Sequence, residues 1–135
     1  MNPWTFYDFL DSRGNNLIRA WLDSIPAKAA AKTDARILYM RAIRLWPEQY
    51  VSALVGWPHI FELRIVSAGS QYRPLFFYGP SQGEVTLVHG TTEKGKIPRR
   101  VFEYADGNRR IVLADRNRIA EHDFRKGPST PKPEE

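Results

Sequence analysis

A single α+β domain, a small antiparallel sheet with two N-terminal helices packed on one face and a C-terminal helix, is the fold class this sequence predicts. Three observations carry it. Between residues 61 and 66, Phe61, Leu63 and Ile65 alternate with Glu62, Arg64 and Val66, the period-two signature of a half-buried strand. Two more strand-like runs, 71–78 and 84–89, follow at hairpin spacing. Upstream, residues 27–46 carry helical spacing, bounded by Pro26 and Pro47.

The elements follow in order. Residues 5–10, with Phe6, Tyr7 and Phe9, form a first strand, and 11–16 a turn ending in helix-capping asparagines. A short helix opens at Leu17 and stops at Pro26. In the longer helix Leu38, Ala42 and Leu45 define the core face with Ile37 and Met40 beside them, while Lys28, Lys32 and Arg36 form another stripe. Residues 49–58 read as a connecting loop. The strand at 61–66 then turns at 67–70 into a central strand, 71–78, apolar on both sides. A turn at 79–83 leads to the third strand of the meander. Pro98 suits the first turn of a last helix, running from Arg99 to about Arg118, one kinked helix or two pieces because Gly107-Asn108 weakens it. The domain spans 1–122, and residues 123–135, rich in proline, lysine and glutamate, read as a disordered tail.

The chain has 135 residues, 42% hydrophobic and 26% charged, the balance of a water-soluble domain. It has no cysteine, which excludes disulfides and thiolate metal sites and suits a reducing compartment. No leader pattern opens it and no apolar run reaches the length of a membrane span, so a cytoplasmic protein without membrane contact is expected. The net charge is +5 with a pI near 9.7. Between residues 94 and 118 Lys94, Lys96, Arg99, Arg100, Arg109, Arg110, Arg116 and Arg118 face only Glu103, Asp106 and Asp115. A basic segment beside strands is the footprint of phosphate contacts, or simply a solvated helix face.

No phosphate-binding loop, dinucleotide fingerprint, zinc-protease or serine-hydrolase motif occurs. His59, His89 and His122 are too scattered for a metal site, so no metal and no cofactor are expected. His59 reads as a loop residue and His122 as an exposed one near a frayed end. His89 ends a strand before Gly90, where it could move protons near neutral pH or simply be capped by backbone. Tyr72 and Tyr104 could stack on a base or serve as packing residues. Arg64 and Arg73 stand within strands, where an unpaired guanidinium is costly. Glu62 is the expected partner of Arg64; a guanidinium there also matches a phosphate. Lys94 and Lys96 add point charge on the following turn.

Glu62-Leu63-Arg64, Tyr72-Arg73 followed by aromatics, the strand ending His89-Gly90, the lysine turn and Pro98, in that order, resemble the RelE/ParE superfamily of type II toxins, most closely its HigB-like, phage-derived branch. The resemblance spans roughly residues 6–118. It implies a toxin that cleaves mRNA, commonly on the ribosome, without a metal, the neighbouring 2′-hydroxyl attacking the phosphate, and that is neutralised by a cognate antitoxin, expected to be a helix-turn-helix protein. By that resemblance Arg64 and Arg73 match the family's strand arginines and Lys94 the basic residue after the third strand; in the mRNA-cleaving reading these three and His89 are the catalytic residues, His89 or a tyrosine moving protons, and Lys96, Tyr72, Arg99, Arg100 and Tyr104 contact RNA. Thr91-Thr92-Glu93-Lys94 departs from the aromatic and lysine pair the family often shows there. Two other readings stand beside this one: a DNA gyrase inhibitor of the ParE type, and a degenerate member that binds RNA or a partner without cutting.

Overall fold

The computed structural model describes residues 1–92 and 94–124. Its elements are β1 (Thr5–Phe9), α1 (Leu17–Ser24), α2 (Ala27–Arg41), β2 (Val51–Leu54), β3 (Trp57–Leu63), β4 (Ile65–Ser67), β5 (Ser70–Tyr78), β6 (Glu84–Thr91), α3 (Arg99–Ala114) and β7 (Ile119–Glu121). Seven strands form one sheet in the order β2-β3-β5-β6-β1-β7, with β4 continuing alongside β5. The α+β class therefore stands, with a mostly antiparallel sheet; the one parallel pairing joins β1 to β6.

The sheet has a core on each face. Leu63, Ile65, Phe76, Val85 and Leu87 pack with Ile18 and Leu22 of α1 and Ile37 and Met40 of α2. Ile60, Leu75, Phe77 and Val88 pack on the other side with Ala105 and Val112 of α3. The two N-terminal helices thus share one face as expected, while α3 covers part of the opposite one.

Local chemistry explains the elements. Asn16 caps α1 by accepting a 2.8 Å hydrogen bond from the Arg19 amide. The β4–β5 turn has positive φ at both Ala68 (52°) and Gly69 (80°), the mirror-image turn whose twist matches a tight hairpin. β3 and β4 break apart at Arg64, where Leu63 falls opposite Pro74, a residue with no amide to give the ladder.

Several expectations are corrected. Helix α2 ends at Arg41 rather than at Trp46, because residues 42–46 double back. That loop packs the half-buried Trp46 indole among Trp4, Phe6, Phe76 and Tyr78 and lets its Nε1 donate to the Met40 carbonyl at 2.8 Å. The buried face of α2 is consequently Ala29, Ala30, Thr33, Ile37 and Met40, while Leu38 and Leu45 are exposed. Residues 49–58 hold β2 and the start of β3 instead of a loop. The chain adds β7 after α3, pairing antiparallel with β1. Finally, α3 ends at Ala114 rather than near Arg118, and of the two alternatives for this segment it is one helix through Gly107-Asn108. The tail expected at 123–135 lies outside the described residues from 125 onward; Asp123 donates its amide to Asp8, and the Phe124 ring packs edge-on against His122 at 4.7 Å.

Gly90 is required by packing. A Cβ there would sit 2.1 Å from the Trp21 ring. Gly90→Ala should therefore overpack the α1 face and cost about 1–3 kcal/mol. A urea titration with an unchanged midpoint would show that Trp21 can move aside at no cost.

Candidate functional site

The β3–β4–β5 register decides which charges meet. Glu62 pairs with Leu75 and Ile65 with Tyr72, so Arg64 falls opposite Arg73, and Arg73 pairs in turn with Thr91 of β6. One row across the α3 side of the sheet is Arg64–Arg73–Thr91; the next is Glu62–Leu75–His89. Residues directly opposite on one face have Cβ atoms about 4.5–5.5 Å apart. Both sequence-predicted arginines and the sequence-predicted histidine are thus brought to one end of the sheet.

Their partners differ from expectation. Glu62 neutralises Arg73, not Arg64: Arg73 Nε and Nη2 donate to its two carboxylate oxygens at 2.7 and 3.0 Å. Glu62 is only 4% exposed, so this is a nearly buried, bidentate pair of the kind that fixes a guanidinium's plane. Arg73 Nη1 donates at 2.6 Å to the Gly95 carbonyl, tying the turn after β6 onto the pair. Arg64 is exposed, and among the described residues its side chain has no carboxylate within ion-pair distance.

His89 owes its place to a bulge. Leu75 faces His89 and Phe76 faces Leu87, leaving Val88 as the extra residue, and such insertions re-aim neighbouring side chains. The orphaned Val88 carbonyl accepts a 2.9 Å hydrogen bond from Nδ2 of Asn108 on α3, whose side chain is buried. Asn108, read from sequence as a helix weakener, instead holds the bulge; the signal was an asparagine at the core-facing spacing Ala105, Asn108, Val112. His89 is half-buried, edge-on to the Tyr104 ring at 5.0 Å, and burial lowers its pKa. It is therefore neutral near pH 7, the form that accepts a proton.

The remaining predicted residues scatter. Tyr72 is buried on the α1–α2 side, facing away from Arg73, and with Lys94, Thr92, Gln71 and Ser70 lines a groove of about 330 Å³. Lys94 and Lys96 are exposed on the turn. Arg99 and Arg100 are exposed in the first turn of α3, Arg99 paired with Glu103 at 2.9 Å. Tyr104 is half-exposed beside His89.

Much of the basic segment is neutralised internally. Asp106 accepts from Arg109 at 2.8 Å and Arg110 at 3.0 Å. Arg116 forks onto Glu84 at 2.6 and 2.9 Å, and its hydrogen bonds hold that carboxyl below its usual range. Arg118 donates only to a neutral acceptor, the Leu10 carbonyl, at 3.1 Å and keeps its charge.

His122 also reverses expectation. It is buried, with Nδ1 2.6 Å from Asp8 and Nε2 2.9 Å from Asp34, while Arg19 reaches Asp34 at 3.2 Å. Burial pushes its pKa down, but the hydrogen bonds it donates to Asp34 and Asp8 outweigh this and raise it to about 9. The carboxylates sit on opposite ring nitrogens, so they clamp an imidazolium and do not converge as metal ligands would.

The fold and this sheet end define a small α+β protein with paired arginines and a neutral histidine on one helix-flanked face. Residues 20–110 match the family described as Phage derived protein Gp49-like (DUF891), more than half of the chain, and the protein belongs to that family. The matched span holds Arg64, Arg73, His89 and Lys94, while β1 and the His122 clamp's C-terminal arm fall outside it. No curated protein and no solved structure matches the chain. Among the described residues, no helix is long and apolar enough to cross a membrane.

Proposed function

We propose that this protein is the toxin of a type II toxin–antitoxin pair in the RelE/ParE superfamily, an endoribonuclease that cleaves mRNA on the ribosome in the cytoplasm. The observation that carries the reading is the cross-strand pair Arg64–Arg73 on the same face as His89. The phage-derived family supports the HigB-like branch of the resemblance.

In this reading Arg64 grips a non-bridging oxygen of the scissile phosphate through its exposed guanidinium. Arg73, held flat by Glu62, stabilises charge growing on the same phosphate, and Lys94 and Lys96 add long-range attraction. His89 takes the proton of the adjacent 2′-hydroxyl as its oxygen attacks phosphorus. The bond to the 5′-oxygen breaks, and that oxygen leaves with a proton from the imidazolium or water. Arg99, Arg100 and Tyr104 line the approach, where a base could stack on the tyrosine. A small helix-turn-helix antitoxin is the expected partner.

One observation favours a second reading. The donors of Arg73 already engage Glu62 and the Gly95 carbonyl, which suits a protein that binds RNA or a partner without cutting it. Induced expression separates the readings. The toxin reading expects growth arrest with new mRNA ends mapped inside coding regions. Arrest with intact mRNA would overturn cleavage, and early failure of DNA synthesis with supercoiling changes would assign the ParE-type action on gyrase.

A further inference from the structure

Among the described residues, and apart from the Lys94–Lys96 turn, a cluster of uncompensated positive charge lies beside α2. The α3 cations Arg99, Arg109 and Arg110 have carboxylate partners. Along α2, by contrast, Lys28, Lys32 and Arg36 recur at four-residue spacing on one stripe, and among the described residues none has a carboxylate within ion-pair distance. The helix's one acid, Asp34, is turned inward to Arg19 and His122.

This stripe is anchored to the segment that runs from Arg64 into β4. Arg36 Nη1 donates to the Arg64 carbonyl at 3.0 Å, and Lys32 Nζ donates to the Val66 carbonyl on β4. Both bonds are to neutral acceptors, so the full charges remain and the head groups are pre-positioned. Arg36 also lies over the Tyr50 ring at 3.9 Å, and Tyr50 meets the half-exposed Tyr39 edge-on at 6.0 Å. A ridge of cations with aromatic rings at its Arg36 end fits a surface that tracks a single-stranded nucleic-acid backbone while a base stacks.

We propose that the α2–β4 margin, from Lys28 through Lys32 and Arg36 to Arg64, is a second RNA-binding track that holds phosphates of the single strand flanking the one at the arginine pair. It rests on the RNA-cleaving reading above and extends it from Arg64 onto α2, which that reading does not use. An acidic polypeptide would find the same charges but no use for Tyr39 and Tyr50, which is why RNA is favoured.

The test is binding of the full chain to a fluorescein-labelled 2′-O-methyl oligouridylate, which cannot be cut, followed by anisotropy across a salt series. Each lost phosphate contact on a single strand lowers the log–log salt slope by about 0.7, so Lys28→Ala/Lys32→Ala together should lower it by about 1.4. Both lysines are exposed, and Arg110→Ala, which removes a paired cation on α3, should leave the slope as in the wild type. An unchanged slope in the double variant overturns the track, even if Arg64→Ala still weakens binding and so preserves the site reading. Wild-type protein that binds no oligonucleotide fails both. Polyglutamate displacing the RNA as effectively as unlabelled RNA of equal charge would assign the margin to an acidic polypeptide and overturn the proposal.

Discussion

Arg64→Ala should reduce RNA cleavage by about 10²–10³-fold, the usual cost of removing one donor aimed at developing phosphate charge, while leaving the fold intact. Arg64 is exposed, its side chain has no ion-pair partner among the described residues, and Arg36 is bonded to its main-chain carbonyl, which alanine keeps. Exposed substitutions of this kind shift stability by about 0.5 kcal/mol or less. Arg73→Ala should behave differently. It strands the Glu62 carboxylate, 4% exposed, without its cation, a change that costs about 3–5 kcal/mol. Loss of activity in Arg73→Ala therefore mixes chemistry with unfolding, and Arg64 is the cleaner test. Cleavage of a defined mRNA, measured beside a urea midpoint, decides it: full activity in a folded Arg64→Ala protein would remove Arg64 from the site.

The second large effect is on stability. His122→Ala removes the imidazolium shared by Asp8 and Asp34, and Asp8 is fully buried. Breaking a buried charge pair on one side costs about 3–5 kcal/mol, a large share of the stability of a small domain. The pH dependence has a definite sign. The folded pKa, about 9, is above the unfolded value of about 6.5. The contribution is therefore complete below pH 6.5 and declines as pH rises through 9. Urea midpoints of the wild type and His122→Asn should be far apart at pH 6 and converge by pH 10; a gap that does not narrow would show that His122 is neutral in the fold.

What could be read from the sequence was local. The strands β5 and β6, the cap at Asn16 and the turn at Ala68-Gly69 announce themselves in a few neighbouring residues. That turn also carries non-local information, because a two-residue hairpin fixes register, and counting back from Ser67 and Ser70 sets Arg64 against Arg73. The same count pairs Glu62 with Leu75, diagonal to Arg73, so the true partner of Glu62 was within reach of the pattern. Other features had no local signal. The strand β2 reads Val51-Ser52-Ala53-Leu54, without alternation. The end of α2 is set by where Trp46 can pack its ring, and His122 meets Asp8 across 114 positions of sequence. The bulge at Val88 follows from β5–β6 register and α3 packing together, which no single segment encodes.

The parallel pairing of β1 with β6 bears on how the protein is made. Thr5 lies beside Glu84, and Phe9 beside Ile119, so the first strand finds neither neighbour until most of the chain has been synthesised. Contacts this distant in sequence form late and slowly. On a translating ribosome the hairpins that bear Arg64 and Arg73 can close while β1 still waits, and the sheet is locked only when β7 and His122 emerge.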